Sequence, residues 1–398
     1  MNKIVDRKKA GLFMLLFSVI YFTSYISRIN FGAVIVEMVS AEGFIKSELS
    51  LAITAAFVTY GAGQLVSGVL GDRLNPKYLM FFGLLLTAGM NALIPSCKST
   101  SYMVAIWAVN GFAQSFMWPP LVKIMTMLFD EDTYCTATVR VSWGSSAGTI
   151  AVYIIAPLCI STVGWKGSFY FPAIFCVVMA VFWLIALRNT DTSVSAGAAR
   201  NSGDESEKAS PFGAFALVAI VFGIVIQGAL RDGITTWMPT FINETYNLGS
   251  KISILTGVIL PIFSIICFNL THRLRNKYVR NELLLAGYIF LAGVLASSLL
   301  WLTASKNAVL SILFMAILTG AMHGVNLLLV CMVPSYFKNA STASGVLNAF
   351  TYIGSAISTY GIALVSERFG WGNTILVWCG FALLGAICCL SAIKRKRT

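Results

Sequence analysis

Twelve predominantly apolar stretches, each long enough to cross a bilayer, follow one another along the chain, and this pattern leaves almost no other architecture open. A spanning helix needs about 20 such residues, because the hydrocarbon core is about 30 Å thick and a helix rises about 1.5 Å per residue. The stretches run over 10–37, 49–70, 77–96, 101–128, 136–163, 167–188, 212–242, 251–272, 281–303, 307–335, 341–365 and 371–393. Only 11% of the residues are charged and the mean hydropathy is +0.80, so there is too little polar surface to cover a water-soluble globule. The expectation is an all-α integral membrane protein of twelve transmembrane helices. Its short connections leave no room for a soluble catalytic domain.

A net charge of +12 could indicate a nucleic-acid partner, but the distribution of the charge argues otherwise. With the termini and the even-numbered gaps placed on one side, that side carries twenty of the 28 Lys and Arg residues and the opposite side six. Arg28 and Arg231 lie inside helices. Such a bias is the positive-inside pattern, so both termini are expected in the cytoplasm, in a multi-pass protein of the inner (plasma) membrane. The partner implied by the basic residues is the lipid bilayer, not nucleic acid. The nine cysteines fall mostly in apolar runs without CxxC pairing and read as small core residues, with no metal site or cofactor expected. The first apolar run is too long for a signal-peptide core and is expected to stay in the protein.

The segment from Arg188 to Pro211 is rich in Ser, Ala, Gly and charge and cannot bury enough surface to order itself. It predicts a cytoplasmic linker over 189–211 between a six-helix bundle at 1–188 and another at 212–398. The two blocks carry an internal repeat. Arg28 and Arg231 are 203 residues apart, while Gly164-Trp165 and Gly370-Trp371, like Ala137 and Ala343, are 206 apart.

Between the second and third spans stands Gly68-Val-Leu-Gly-Asp72-Arg73-Leu-Asn-Pro-Lys77. Asp72 there can pair with a neighbouring helix end, and Gly68 permits close helix approach. The run resembles the GxLxDRxGRR loop of the major facilitator superfamily. Further along come Tyr25-Ile-Ser-Arg28-Ile-Asn30-Phe31, Gln114-Ser-Phe-Met-Trp118-Pro119-Pro120, Gly164-Trp165 and Arg231-Asp-Gly-Ile-Thr-Thr-Trp237-Met-Pro239-Thr240. Taken in order, these resemble the organophosphate:phosphate antiporter family, which includes bacterial glycerol-phosphate and hexose-phosphate exchangers. The resemblance covers about Tyr21 to Trp371. It implies the major facilitator fold, two pseudo-symmetric six-helix bundles, and paired anion-binding arginines, one per half, at Arg28 and Arg231.

The arginines stand out on physical grounds as well. A guanidinium cannot shed its charge, and placing one at mid-membrane costs roughly 2.5–3.5 kcal/mol on insertion scales. Neither lies at a helix end where it could snorkel, so each is expected to face a watery cavity. There its planar fork of donors suits the oxygens of phosphate, phosphonate or carboxylate. Asp232 is the one mid-helix acid nearby, and as the next residue it projects about 100° away from Arg231, so it is not expected to neutralise it. Tyr21, Tyr25 and Arg28, at i, i+4 and i+7, share one helix face, and Gln227 precedes Arg231 by one turn. By family position Gln114, Trp118, Asn348 and Tyr352 join them as substrate candidates, with His323 and Asn326 behind.

Several positions depart from the family pattern. Where the exchangers commonly carry lysines this chain has Ile29 and Gln64, near the family's fifth-helix histidine it has Ala147, and the partnering acids read Thr236 and about Thr256. Both members of each pair are gone, so the site is coherent but less ionic. The reading is a secondary active transporter, not an enzyme and expected to be a monomer, that binds a small organic anion such as an organophosphate or phosphonate. Inorganic phosphate or a second anion is the counter-substrate in exchange by alternating access. A proton- or sodium-coupled carboxylate symporter and a transporter-like sensor stand as alternatives.

Overall fold

The computed structural model describes residues 4, 6–44, 46–190, 213–248, 255–337 and 339–392. The expected linker, from 191 onward, and the start of the eighth expected span lie outside the described residues. Five of the described helices begin where a short polar side chain caps them. Asp6 accepts from the Lys8 backbone N–H ahead of α1 (Arg7–Glu42), and Asn75 does so from Lys77 ahead of α3 (Pro76–Leu93), with Pro76 at the first helical position. The first-half set is completed by α2 (Lys46–Arg73), α4 (Thr100–Gln114), α5 (Trp118–Leu128), α6 (Glu131–Val163) and α7 (Gly167–Ala186). After them come α8 (Ala214–Tyr246), α9 (Ile259–Lys277), α10 (Glu282–Thr303), α11 (Ala308–Asn326) and α12 (Ala340–Ser391). Nine of the described helices contain a stretch long and apolar enough to cross a membrane.

Four expected spans differ in detail. The fourth, read as one helix over 101–128, is two: Pro119 and Pro120 have no N–H to donate, and the backbone tightens to i→i−3 bonds from Ser115, Phe116 and Met117 before α5 starts. The tenth, read over 307–335, is regular only to Asn326. A wider π-type turn follows over Leu327–Met332 and a 3₁₀ turn over Val333–Tyr336, around Pro334. The eleventh and twelfth run together as α12 and are separated by Gly370 alone, whose φ of 75° is left-handed.

The helices form two compact units. The first holds α1–α7 together with 334–349, and the second holds α8–α11 together with 350–391. In the first unit α1 packs on α6, α2 on α4, and α3 on α7. Its apolar core centres on Phe31, Trp107 and Phe169, with ring centroids 5.0–5.8 Å apart. In the second unit α11 packs against α8, α9 and α10. Large apolar side chains such as Leu12, Ile174, Leu295 and Val309 are more than 60% exposed, a pattern that a lipid solvent accommodates and water does not.

The internal repeat is visible in the packing of each unit. A Cβ on Gly148 of α6 would lie 2.9 Å from the carbonyl of Phe22 on α1, and one on Gly354 of α12 would lie 2.0 Å from the carbonyl of Val225 on α8. Phe22 and Val225 are 203 apart and Gly148 and Gly354 are 206 apart, the same offsets that relate the arginines and the Gly-Trp pairs. Gly164 and Gly370 share one backbone conformation, φ 77° and 75°. The indole after each donates to a glutamate: Trp165 to Glu42 at 3.3 Å, and Trp371 to Glu244 at 2.9 Å.

Candidate substrate site in each unit

In the first unit the i, i+4, i+7 spacing on α1 places the three expected residues together. Tyr21 and Tyr25 have ring centroids 5.3 Å apart, and the Arg28 guanidinium carbon lies 4.2 Å from the Tyr25 ring centre. Trp118, at the first position of α5, packs its ring 5.2 Å from Tyr21. Tyr60 of α2, which the sequence reading did not single out, brings its ring centre to 4.9 Å from the same guanidinium. Its i, i+4 relation to Gln64 was the available signal. The arginine is only partly buried, and aromatic faces offset part of its desolvation through their quadrupoles. Gly148 lets α6 press against α1 behind this face: a Cβ there would meet the Tyr25 Cβ at 2.8 Å.

Gln114 and Gln64 are fully enclosed and act as braces. Gln114 accepts from Ser24 Oγ and donates to Ser27 Oγ at 2.9 Å, tying the end of α4 to the helix of Arg28. The Ser115 carbonyl is the one that a Pro119 N–H would have bonded, and Gln64 Nε2 lies 3.4 Å from it. The other end of Gln64 accepts from Asn348 Nδ2 at 3.0 Å. A neutral amide that both donates and accepts therefore fills the place where the resembled family has a lysine.

The Asp72 loop behaves as its residue types suggest. Asp72 accepts from the Thr342 backbone N–H and hydroxyl, both at 2.8 Å, at the first turn of α12, and pairs with Lys123 at 2.9 Å. A Cβ on Gly68 would lie 2.9 Å from the Ser341 carbonyl, so glycine is needed for this approach. Arg73 is exposed at the end of α2.

In the second unit the expectation for Asp232 fails. Its carboxylate accepts from Arg231 Nε at 2.7 Å and Nη2 at 2.9 Å, a bidentate pair. Successive Cα–Cβ bonds do diverge by about 100°, but the arginine stem is long enough to fold back over its neighbour. Arg231 Nη1 donates to Asn326 Oδ1 at 3.1 Å, and Ser355 Oγ donates to Asp232 at 2.6 Å. Gln227 donates to Asn326 at 3.3 Å and Thr351 at 3.2 Å. Asn326 is thus a direct partner of the arginine. His323 instead lies 2.9 Å from the Thr319 carbonyl and 3.1 Å from Ser264. Tyr352 is buried one turn before Ser355, whose place in an i, i+4, i+7 row with Asn348 and Tyr352 was the missed clue.

In both units the helix that carries the arginine is bonded to a polar side chain at the last regular turn before a break: Gln114 to Ser24 and Ser27 of α1 in one, Asn326 to Arg231 of α8 in the other. This is the arrangement of broken helices and charged groups on which membrane transport sites are built.

A family model of the Major Facilitator Superfamily matches residues 17–359. The chain is 28% identical to the glycerol-3-phosphate transporter of Bacillus subtilis (strain 168), over 93% of this chain and 87% of that one. It is 23% identical to the Probable hexose phosphate transport protein of Chlamydia muridarum (strain MoPn / Nigg), over 94% and 88%, and 21% identical to the membrane sensor protein UhpC of Escherichia coli (strain K12), over 90% and 86%. The chain belongs to the Major Facilitator Superfamily, as a multi-pass membrane protein of the transporter class and not an enzyme, and its resemblance to the organophosphate:phosphate antiporter family holds.

Proposed function

We propose that the chain moves a small organic anion, an organophosphate or a similar phosphorylated or phosphonate compound, by exchange through alternating access. Arg28 and Arg231, one from each half, bind the anion. Tyr21, Tyr25, Gln64, Gln114, Trp118, Gln227, Asn348 and Tyr352 bind or position its polar body. Gly68, Asp72 and Arg73 form the loop that participates in the conformational change. The halves are 1–188 and 212–398, joined by the cytoplasmic linker 189–211, with both termini cytoplasmic and the protein a monomer.

The observation that carries this reading is the equivalent placement of Arg28 and Arg231 at the repeat offset, in a chain whose relatives are named for carrying glycerol 3-phosphate and hexose phosphate. Within the apolar spans read from the sequence, no acid other than Asp232 lies away from a span end, and Asp232 is held by Arg231, which favours anion exchange over proton coupling. The likeness to UhpC keeps a sensor role as the second reading.

The test is uptake of labelled glycerol 3-phosphate, hexose phosphate and a phosphonate into proteoliposomes with and without internal phosphate. Exchange requires the internal anion and survives an uncoupler. Uptake that collapses with the uncoupler identifies a symporter, and ligand binding without flux identifies a sensor.

A further inference from the structure

The tautomer of His323, in the second unit, follows from its partners. Nδ1 lies 2.9 Å from the Thr319 carbonyl, which only accepts, so Nδ1 carries a hydrogen. Its other neighbour, Ser264 Oγ at 3.1 Å, gives its own hydrogen to the Leu260 carbonyl at 2.9 Å and therefore also accepts from Nδ1. Phe268 of α9 meets the imidazole edge-on, with centroids 5.5 Å apart at 89°, and fixes the plane of the ring. A neutral imidazole has one N–H, which leaves Nε2 a bare acceptor.

Among the described residues Nε2 makes no hydrogen bond. His323 is half-buried and Nε2 is not fully enclosed, so a ligand has access to it. The ring stands in the field of the Arg231–Asp232 pair, one turn along α11 from Asn326, which accepts from Arg231 Nη1 at 3.1 Å. The arginine supplies donors only, and His323 adds the complementary group close by.

We propose that His323 is a specificity-determining residue that accepts a hydrogen bond at Nε2 from a carbon-borne hydroxyl of the substrate, so that the protein selects hydroxylated organophosphates over alkyl ones. This rests on the organophosphate reading above. The oxygens of a doubly ionised phosphate are acceptors like Nε2 and do not pair with it. Three helical residues rise by about 4.5 Å, so a phosphate held at Arg231 leaves its hydroxylated carbons nearest the imidazole. An alkyl chain there strips water from Nε2 and puts no donor in its place, which is how a site built for a hydroxyl rejects an analogue without one.

The experiment uses the full chain in phosphate-loaded proteoliposomes at pH 8, above the ordinary imidazole pKa of about 6.5 and the second phosphate ionisation near pH 6. Glycerol 3-phosphate and propyl phosphate, equal in charge and carbon number, compete against labelled glycerol 3-phosphate. The wild type is expected to favour the glycerol compound, and His323→Phe to reduce that preference about fivefold, the worth of one net hydrogen bond. Equal weakening of both compounds assigns the ring a structural role and overturns the proposal. So does a preference that appears only below pH 6, where the phosphate itself carries an O–H.

A second readout does not need the variant to fold. With 15N-labelled histidine in a His272→Gln background, which removes the chain's other histidine, the Nε2 resonance of His323 should be that of an unprotonated nitrogen at pH 8. It should move on addition of glycerol 3-phosphate and stay in place with propyl phosphate. A protonated Nε2 in the free protein, or equal movement with both compounds, overturns the proposal. Failure of both compounds to bind or exchange overturns the organophosphate reading itself, a distinct result from binding of both without preference.

Discussion

The contact between Gly354 and α8 gives a prediction whose size follows from one distance. An alanine Cβ at 354 would sit 2.0 Å from the Val225 carbonyl oxygen, which is backbone and cannot rotate away. Restoring an ordinary contact of 3.4 Å requires α12 to move from α8 by about 1.4 Å, and overpacking of this kind costs roughly 1–3 kcal/mol. Alanine recovers up to about 1 kcal/mol through its better helix propensity, leaving a net loss of about 1–2 kcal/mol.

The displacement also reaches function. Ser355 is the adjacent residue, and moving its hydroxyl from 2.6 Å to about 4 Å from Asp232 breaks the hydrogen bond. Gly354→Ala should therefore lower both thermal stability, read by tryptophan fluorescence in detergent, and exchange activity. Gly361 lies in the same helix with nothing within 4 Å of an added Cβ, so Gly361→Ala should be neutral or mildly stabilising. If Gly354→Ala unfolds at the wild-type temperature and exchanges at the wild-type rate, the close packing of α8 and α12 does not matter as described.

Two further substitutions probe the first unit. Gln64→Lys keeps a donor for the Ser115 carbonyl but loses the acceptor for Asn348 and adds a buried charge. It should destabilise by about 2.5–3.5 kcal/mol unless an anion compensates, and competition assays should show selectivity moving toward more highly charged substrates; unchanged selectivity refutes this role. Asp72→Asn removes the Lys123 pair and weakens acceptance from Thr342, and should slow exchange several-fold with little change in half-saturation. A changed half-saturation at constant maximal rate would assign Asp72 to binding instead.

Much of the fold was legible because bilayer thickness imposes a length that apolar runs must meet, and because two units repeat at offsets of 203 and 206. What sequence reading missed was how spans end and bend. Pro119 and Pro120 remove backbone donors inside the fourth span, and the tenth loses its regular turns from Leu327, ahead of Pro334, so two apparently continuous helices break without interrupting their apolar pattern. Gly370 breaks a third by its φ alone, where hydropathy suggests only a short gap.

In the candidate site, spacing found Tyr21, Tyr25 and Arg28 because all three stand on one helix. Tyr60 shares a face with Gln64, and Ser355 with Asn348 and Tyr352, by the same spacing, but spacing along one helix does not say which of its faces meets an arginine on another. The Asp232 error came from a rule about Cβ directions applied to a side chain long enough to defeat it.

The most direct test of the paired-arginine account is phosphate exchange by Arg28→Lys and Arg231→Lys in proteoliposomes. Each change keeps the charge and loses the planar fork. At Arg231, Nε, Nη1 and Nη2 each make a charge-assisted bond, and losing one or two costs about 2–4 kcal/mol, or roughly thirtyfold to several hundredfold in exchange. The account predicts a loss of that order in both folded variants. Near-wild-type exchange in both contradicts it.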